Sequence, residues 1–188
     1  MKYVFISGIP AAGKSYIAER VAKTIGVMHI DIDEWREEMK SEPELKSWVD
    51  FFWNKNEEEY WRITSCEEHW ENLKKQSEAF WPTILKRIKK IQKSDKPAIF
   101  EGVNILPYLA HRDFPFKGIV LLGRSVEEIF ERNKRSPRWG QSKELQKIEA
   151  EKFYNCEGPM YRKDAEKYNF KVFTDPIQAE KELLRLLQ

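Results

Sequence analysis

The chain has 188 residues, room for one α/β domain with a substantial core and a small insertion. Its 33 basic residues against 31 acidic ones leave a net charge of +2, which argues against non-specific nucleic-acid binding as the main activity. No apolar run is long enough to span a membrane, and Met1-Lys2 leads directly into a core strand rather than a signal peptide, so a cytoplasmic protein is expected.

The first element in chain order is an apolar strand, residues 3–7. Next comes Gly8-Ile9-Pro10-Ala11-Ala12-Gly13-Lys14-Ser15, a complete G-x-x-x-x-G-K-[ST] phosphate-binding loop, and then a helical pattern that opens at Tyr16. Each part has a physical task. Gly8 and Gly13 take backbone angles that a side chain would forbid, so successive N–H groups turn inward around an anion, and Ile9, Pro10, Ala11 and Ala12 contribute mainly backbone. Lys14 adds positive charge for the β- and γ-phosphates, the Ser15 hydroxyl can ligate Mg²⁺, and the helix beyond points its positive end at the same phosphates. The cofactors this predicts are ATP and Mg²⁺, held by residues 8–16 and Lys14 in particular.

A second strand is expected at 27–31, with Asp31 and Asp33 at its carboxyl end and Arg36 three residues after Asp33, positioned to share a helix face with it. Asp31 suits a water-mediated contact to Mg²⁺, and Asp33 suits a base for an acceptor hydroxyl; the alternative for both is a helix N-cap and first-turn acid pair. Arg36 suits an anionic acceptor, or else a surface pairing with Glu37 or Glu38. A helical insertion is expected over about 41–93, built from two or three amphipathic helices. It carries Trp48, Trp53, Trp61, Trp70 and Trp81, which either pack helix on helix or line an acceptor pocket. Its last helix spans 67–93, with Pro82 inside. Cys66 and Cys156, far apart and without metal-ligand spacing, read as free thiols of a reducing compartment. His29, His69 and His111 read as core or surface residues.

A third strand at 97–101 ends on Glu101-Gly102: the carboxylate is a candidate for water on Mg²⁺ or for the acceptor, with a turn cap as the alternative, and the glycine lets backbone pass close to substrate. A fourth strand at 118–123 delivers Arg124. The helical stretch after it carries Arg132 and Arg135, an irregular turn follows at 136–141 with Arg138, and helical residues resume at 142–155. These arginines form the candidate charge clamp for the transferring phosphoryl group, Arg132 foremost. A fifth strand at 170–174 ends near Asp175, and a terminal helix covers 176–188. Parallel strands alternating with helices predict a three-layer α/β fold: a five-stranded parallel sheet with helices on both faces, the P-loop NTPase arrangement, plus the insertion. Ligands collect at the carboxyl ends of such strands, where all these candidates fall.

These landmarks resemble the nucleoside-monophosphate-kinase-like group of P-loop kinases across most of the chain, the insertion excepted. Asp33-Glu34-Trp35-Arg36 resembles the Asp-x-x-Arg element of polynucleotide 5′-kinases and related small-molecule kinases, in which the Asp activates the acceptor hydroxyl and the Arg holds substrate or phosphate. Residues 97–107 are similar to the strand-Glu-Gly segment of 2-phosphoglycerate-kinase-like proteins. Residues 127–135 are similar to the lid-leading helix of adenylate-kinase-like enzymes. Those lid arginines are often four apart and Arg132 and Arg135 are three apart, so the pair could include Arg138. The resemblance implies one kinase domain over 1–188, an acceptor-covering insertion at about 41–93, a lid at about 132–155, and Asp175 near the adenine; Arg124 is expected with Asp175 among the residues that bind the nucleotide. Phosphoryl transfer to a small-molecule acceptor is the leading expectation, with Lys14, Asp33, Arg132 and Arg135 as catalytic residues, Arg36, Glu101 and Gly102 at the acceptor, and Ser15 and Asp31 at the metal. A nucleic-acid 5′-hydroxyl kinase is the second, weakened by the near-neutral charge. A nucleotide-dependent switch is the third; the guanine-specifying N-K-x-D stretch of GTPases is missing, since Asn54-Lys55 is followed by Asn56-Glu57. A monomer or a homodimer is compatible with all three.

Overall fold

The computed structural model describes residues 1–188. Five strands, β1 (Tyr3–Gly8), β2 (Met28–Asp31), β3 (Ala98–Glu101), β4 (Gly118–Leu121) and β5 (Lys171–Phe173), form one parallel sheet in the order β2-β3-β1-β4-β5. The central strands read as continuous apolar runs because both of their faces are covered, as in an all-parallel sheet flanked by helices. Register is what matters for chemistry. Ile6 and Asp31 both lie beside Glu101, and Gly8 lies beside Leu121, so the loop after β1 leaves the sheet next to the ends of β2 and β3.

Helix α1 (Lys14–Ile25) turns Ile17, Ala18, Val21 and Ala22 into the core at helical spacing and stops at Gly26 in the left-handed region. It packs against the C-terminal helix α10 (Pro176–Leu187), which Asp175 caps by accepting from the Ile177 N–H. Between β2 and β3 the chain forms α2 (Trp35–Met39), α3 (Pro43–Val49), α4 (Glu57–Ile63) and the 28-residue α5 (Cys66–Lys93). The starts of α4 and α5 are written locally: Asn56 and Ser65 accept from the backbone N–H of Glu59 and Glu68 three residues on. Trp70 packs edge-on against Tyr161, and Trp81 is buried with its indole N–H donating to Asp113, so these two tryptophans hold the insertion to the body of the fold. After β3 comes α6 (Pro107–Asp113), and after β4 comes α7 (Val126–Arg135).

The stretch after α7 departs from expectation. Rather than one helix over 142–155, α8 (Lys143–Lys152) passes through a π-helical turn (Phe153–Glu157) into α9 (Gly158–Lys167). A π turn widens the helix by a residue and re-aims the side chains on it, here Phe153 and Glu157. The free-thiol expectation is corrected at the same place. Cys66 at the start of α5 and Cys156 in the π turn are disulfide-bonded, their Cα atoms 4.9 Å apart across 90 residues of sequence. With both cysteines paired, free thiols no longer point to a reducing compartment. No helix is long and apolar enough to cross a membrane.

Candidate functional site

The loop at residues 8–13 is built by backbone geometry. Gly8 sits at φ 128° against β4, where a Cβ would collide with the carbonyl of Leu121, and the loop passes through two more positive φ angles, at Ala11 and Gly13. Lys14, at the start of α1, is buried and donates from Nζ to the carbonyl of Ile9, folding its charge inside the loop. Burial lowers its pKa, against the pull of the Glu101, Asp33 and Asp31 carboxylates.

A cavity of about 430 Å³ opens on one side of the loop, bordered by Ala11, Gly13, Lys14, Ser15, Tyr16 and Pro176 and by Arg132, Arg135, Ser136 and Arg138. Helix α7 and the turn after it bring in the three arginines. Arg132 reaches furthest, donating to the carbonyl of Ala12 at 2.7 Å while Glu128 holds its other nitrogen at 2.8 Å. Arg124 does not join them: it pairs with Asp175 at 2.6 Å, beyond the end of β4, and borders neither this cavity nor the next. Tyr16 is exposed, its ring beneath Arg20.

On the other side of Lys14 and Ser15 lies a second cavity of about 230 Å³, which Arg138 also borders. Its near end holds Asp31, Asp33, Arg36 and Glu101. Asp31 accepts from the Asp33 N–H at 2.8 Å, and Asp33 accepts from the Val103 N–H at 3.3 Å, while α2 starts without any side-chain cap. The N-cap alternative for the two aspartates therefore does not hold. Gly102 matters by being small: a Cβ there would stand 3.0 Å from Asp33 Oδ1 and push the carboxylate away. Arg36 faces inward, 3.7 Å from Asp33 and 3.0 Å from Asn104 Oδ1, which removes the surface-pairing alternative; its buried Nε has no partner. Glu101 is buried at the end of β3 rather than capping a turn, with His29 Nε2 3.5 Å away. Burial pushes the Glu101 pKa up, but His29, Lys14 and Ser15 outweigh it, so the group is held below its usual range. Burial and the charges of Asp33 and Glu101 push Asp31 up to about 7.

The far end of this cavity is aromatic. Insertion residues Phe52, Trp53 and Trp61 face Trp139 of the 136–141 turn and Phe153 of the π turn, with the Trp61 and Trp139 rings 5.9 Å apart. Of the insertion tryptophans, Trp53 and Trp61 line the cavity while Trp70 and Trp81 pack the core. Glu149 pins the turn, accepting from the Trp139 and Gly140 N–H groups at 3.0 and 3.2 Å and from Asn133 Nδ2 at 2.6 Å. Burial and the facing Glu149 push Glu57 up to about 7. His69 fits the core reading, buried with both ring nitrogens partnered, and it also borders the cavity, between Tyr60 Oη and Glu157 Oε1, each at 2.8 Å, a position that sequence reasoning did not foresee. Sequence reasoning missed Glu149 and Glu157 as well. Both sit on polar-looking helical stretches, and only a pair of buried acids inside an otherwise amphipathic pattern hints at them.

Comparison with solved structures gives the same fold. Shikimate kinase from Acinetobacter baumannii in complex with shikimate matches with a TM-score of 0.58 at 15% identity, over 98% of this chain and 92% of that one. Shikimate kinase from Bacteroides thetaiotaomicron matches with a TM-score of 0.53 at 15% identity, over 98% and 97%. Deoxyadenosine kinase from M. mycoides with bound dATP matches with a TM-score of 0.50 at 14% identity, over 97% of each chain. No family model and no curated protein matches the chain. The fold is that of small P-loop kinases of the nucleoside-monophosphate-kinase-like type.

Proposed function

We propose that this chain, built on the small P-loop kinase fold, transfers the γ-phosphoryl group of ATP to a hydroxyl of a small-molecule acceptor. The observation that carries the reading is the pair of cavities meeting at Lys14 and Ser15, one walled by arginines and the other by Asp33 and Arg36. A triphosphate fits the first: it offers turned-in backbone at residues 8–13, a buried lysine and three guanidinium groups. Mg²⁺ fits as well. No three acidic, imidazole or thiol ligands converge on one point, but Mg²⁺ carried on a triphosphate needs only one or two protein oxygens, which Ser15 and Asp31 supply.

When bound, ATP·Mg²⁺ supplies the transferable group and a divalent positive charge. The chain's own residues would do the rest. Lys14 and the loop N–H groups hold the phosphates. Asp33, fixed by the Val103 N–H and backed by Gly102, orients the acceptor hydroxyl and takes its proton. Arg36 and Glu101 position the acceptor. Arg132, with Arg135 and Arg138, neutralises charge spread over the transferring group, and Trp139 and Arg138 close the site against water. A cavity of about 230 Å³, walled on one side by the insertion and on the other by the turn at 136–141, suits a small molecule better than a polymer strand. The three kinases of the comparison include two named for shikimate and one for deoxyadenosine, each a small hydroxyl compound. Incubation with ATP, Mg²⁺ and a panel of alcohols, nucleosides, sugar acids and 5′-hydroxyl oligonucleotides, read by product mass, tests the reading. A phosphorylated small molecule is expected; phosphorylated oligonucleotide alone, or nucleotide binding without any phosphorylated product, would overturn it.

A further inference from the structure

The far end of the acceptor cavity contains a carboxylate that the transfer reaction does not use. Glu157 is 3% exposed, Oε1 accepts from His69, and Oε2 has no hydrogen-bond partner. His69 stands between two oxygens, its Nδ1 2.8 Å from Tyr60 Oη and its Nε2 2.8 Å from Glu157 Oε1, while Asn72 Nδ2 donates to Tyr60 Oη. His69 is the one basic side chain that touches Glu157. No lysine or arginine lies within 4 Å of it. Of the three cations that border the cavity, Lys14 donates to Ile9, Arg36 donates to Asn104 and stands 3.7 Å from Asp33, and Arg138 forms no ion pair with Glu157. A buried carboxylate oxygen that meets no donor is costly, and a donor that reaches it, above all a cationic one, offsets that cost.

The walls around it point the same way. Phe52, Trp53, Trp61, Trp139 and Phe153 present ring faces and edges, with His69 4.7 Å from the Trp61 ring. Aromatic faces attract cations and do nothing for anions. We infer that the acceptor carries an ammonium or similar protonated nitrogen at the end remote from its reacting hydroxyl, bound between Glu157 and the aromatic walls. This rests on the acceptor-site reading given above and narrows it to amino alcohols. A carboxylate-bearing acceptor would instead bring its charge against Glu157.

The test is calorimetric titration with three matched probes: para-(aminomethyl)benzyl alcohol, its neutral counterpart para-benzenedimethanol, and the anionic para-(hydroxymethyl)benzoate. The amine is expected to bind about tenfold or more tighter than the diol, and the benzoate more weakly than either. Glu157→Gln should bring the amine down to the diol's affinity while ATP·Mg²⁺ uptake persists. Trp53→Leu, at a half-exposed wall position that folding does not depend on, should weaken the amine and not the diol. The inference is overturned if the diol or benzoate binds as tightly as the amine, if none of the three binds, or if the amine's advantage survives both substitutions. Mass analysis with ATP and Mg²⁺ separates the two readings. An amine that binds with the stated preference but gains no phosphoryl group sinks the kinase and leaves the cation site standing. Phosphorylation of other alcohols without amine binding does the reverse.

Discussion

Asp33 illustrates how much a single side chain depends on its neighbours. Its carboxylate is aimed by one backbone N–H and by the missing side chain of Gly102, so the amide of Asp33→Asn fits the same space but cannot accept a proton. Turnover is expected to fall by about 10²–10⁴ while ATP affinity stays within about threefold; equal loss of both, in steady-state kinetics and calorimetry, would remove Asp33 from the chemistry. Glu57 gives a prediction about stability. Its pKa is raised by burial and Glu149 from the ordinary range to about 7, so the folded chain holds a proton that the unfolded chain releases near 4.5. Stability therefore falls as pH rises between about 4.5 and 7 and is level above. Glu57→Gln keeps an acceptor for the Trp61 indole N–H and removes the charge conflict. It should flatten that slope and add about 1–2 kcal/mol above pH 7, or roughly 3–6 °C in Tm by calorimetric scanning. An unchanged or lowered Tm at pH 8 would contradict the assignment.

At the scale of elements, the turn at 136–141 is held by one acid. Glu149, on α8, gathers two backbone N–H groups of the turn and the Asn133 amide. Glu149→Ala is expected to release Trp139 and Gly140, seen as faster amide exchange there, and to raise ATP hydrolysis relative to phosphoryl transfer as water enters; unchanged exchange at those amides would show that the turn is held otherwise. The disulfide ties α5 to the π turn beside His69 and Glu157. Closing a loop of 90 residues, it should contribute about 2–4 kcal/mol, so Cys66→Ser with Cys156→Ser lowers Tm and weakens the coupling between insertion and π turn. An identical Tm with and without a reductant, with both thiols free by mass, would show that the bond does not form. Local signals made much of this readable in advance. Apolar runs gave the five strands, and the Asn56 and Ser65 caps follow from an acid three residues on. The π turn was not legible, because residues 142–155 carry an ordinary helical pattern with no Gly or Pro to mark a change of winding.

For the molecule as a whole, the sheet order β2-β3-β1-β4-β5 decides what is near what. It sets Asp31 beside Glu101 and both beside the loop after β1, a convergence foreseeable because parallel strands deliver their carboxyl ends to one edge. The aromatic far end was not foreseeable to the same degree. Which tryptophans line the cavity is set by long-range contacts: Trp70 meets Tyr161 of α9 in the core, while Trp53, in the turn between α3 and α4, borders the cavity. Cys66 and Cys156 likewise meet through long-range packing that no spacing rule describes. The account as a whole depends on the loop at residues 8–15 holding a triphosphate. Titration of the folded protein with ATP in the presence and absence of Mg²⁺ tests this most directly. Saturable one-to-one uptake that Mg²⁺ strengthens and Lys14→Ala abolishes is the predicted result; a flat isotherm for both ATP and GTP would contradict it.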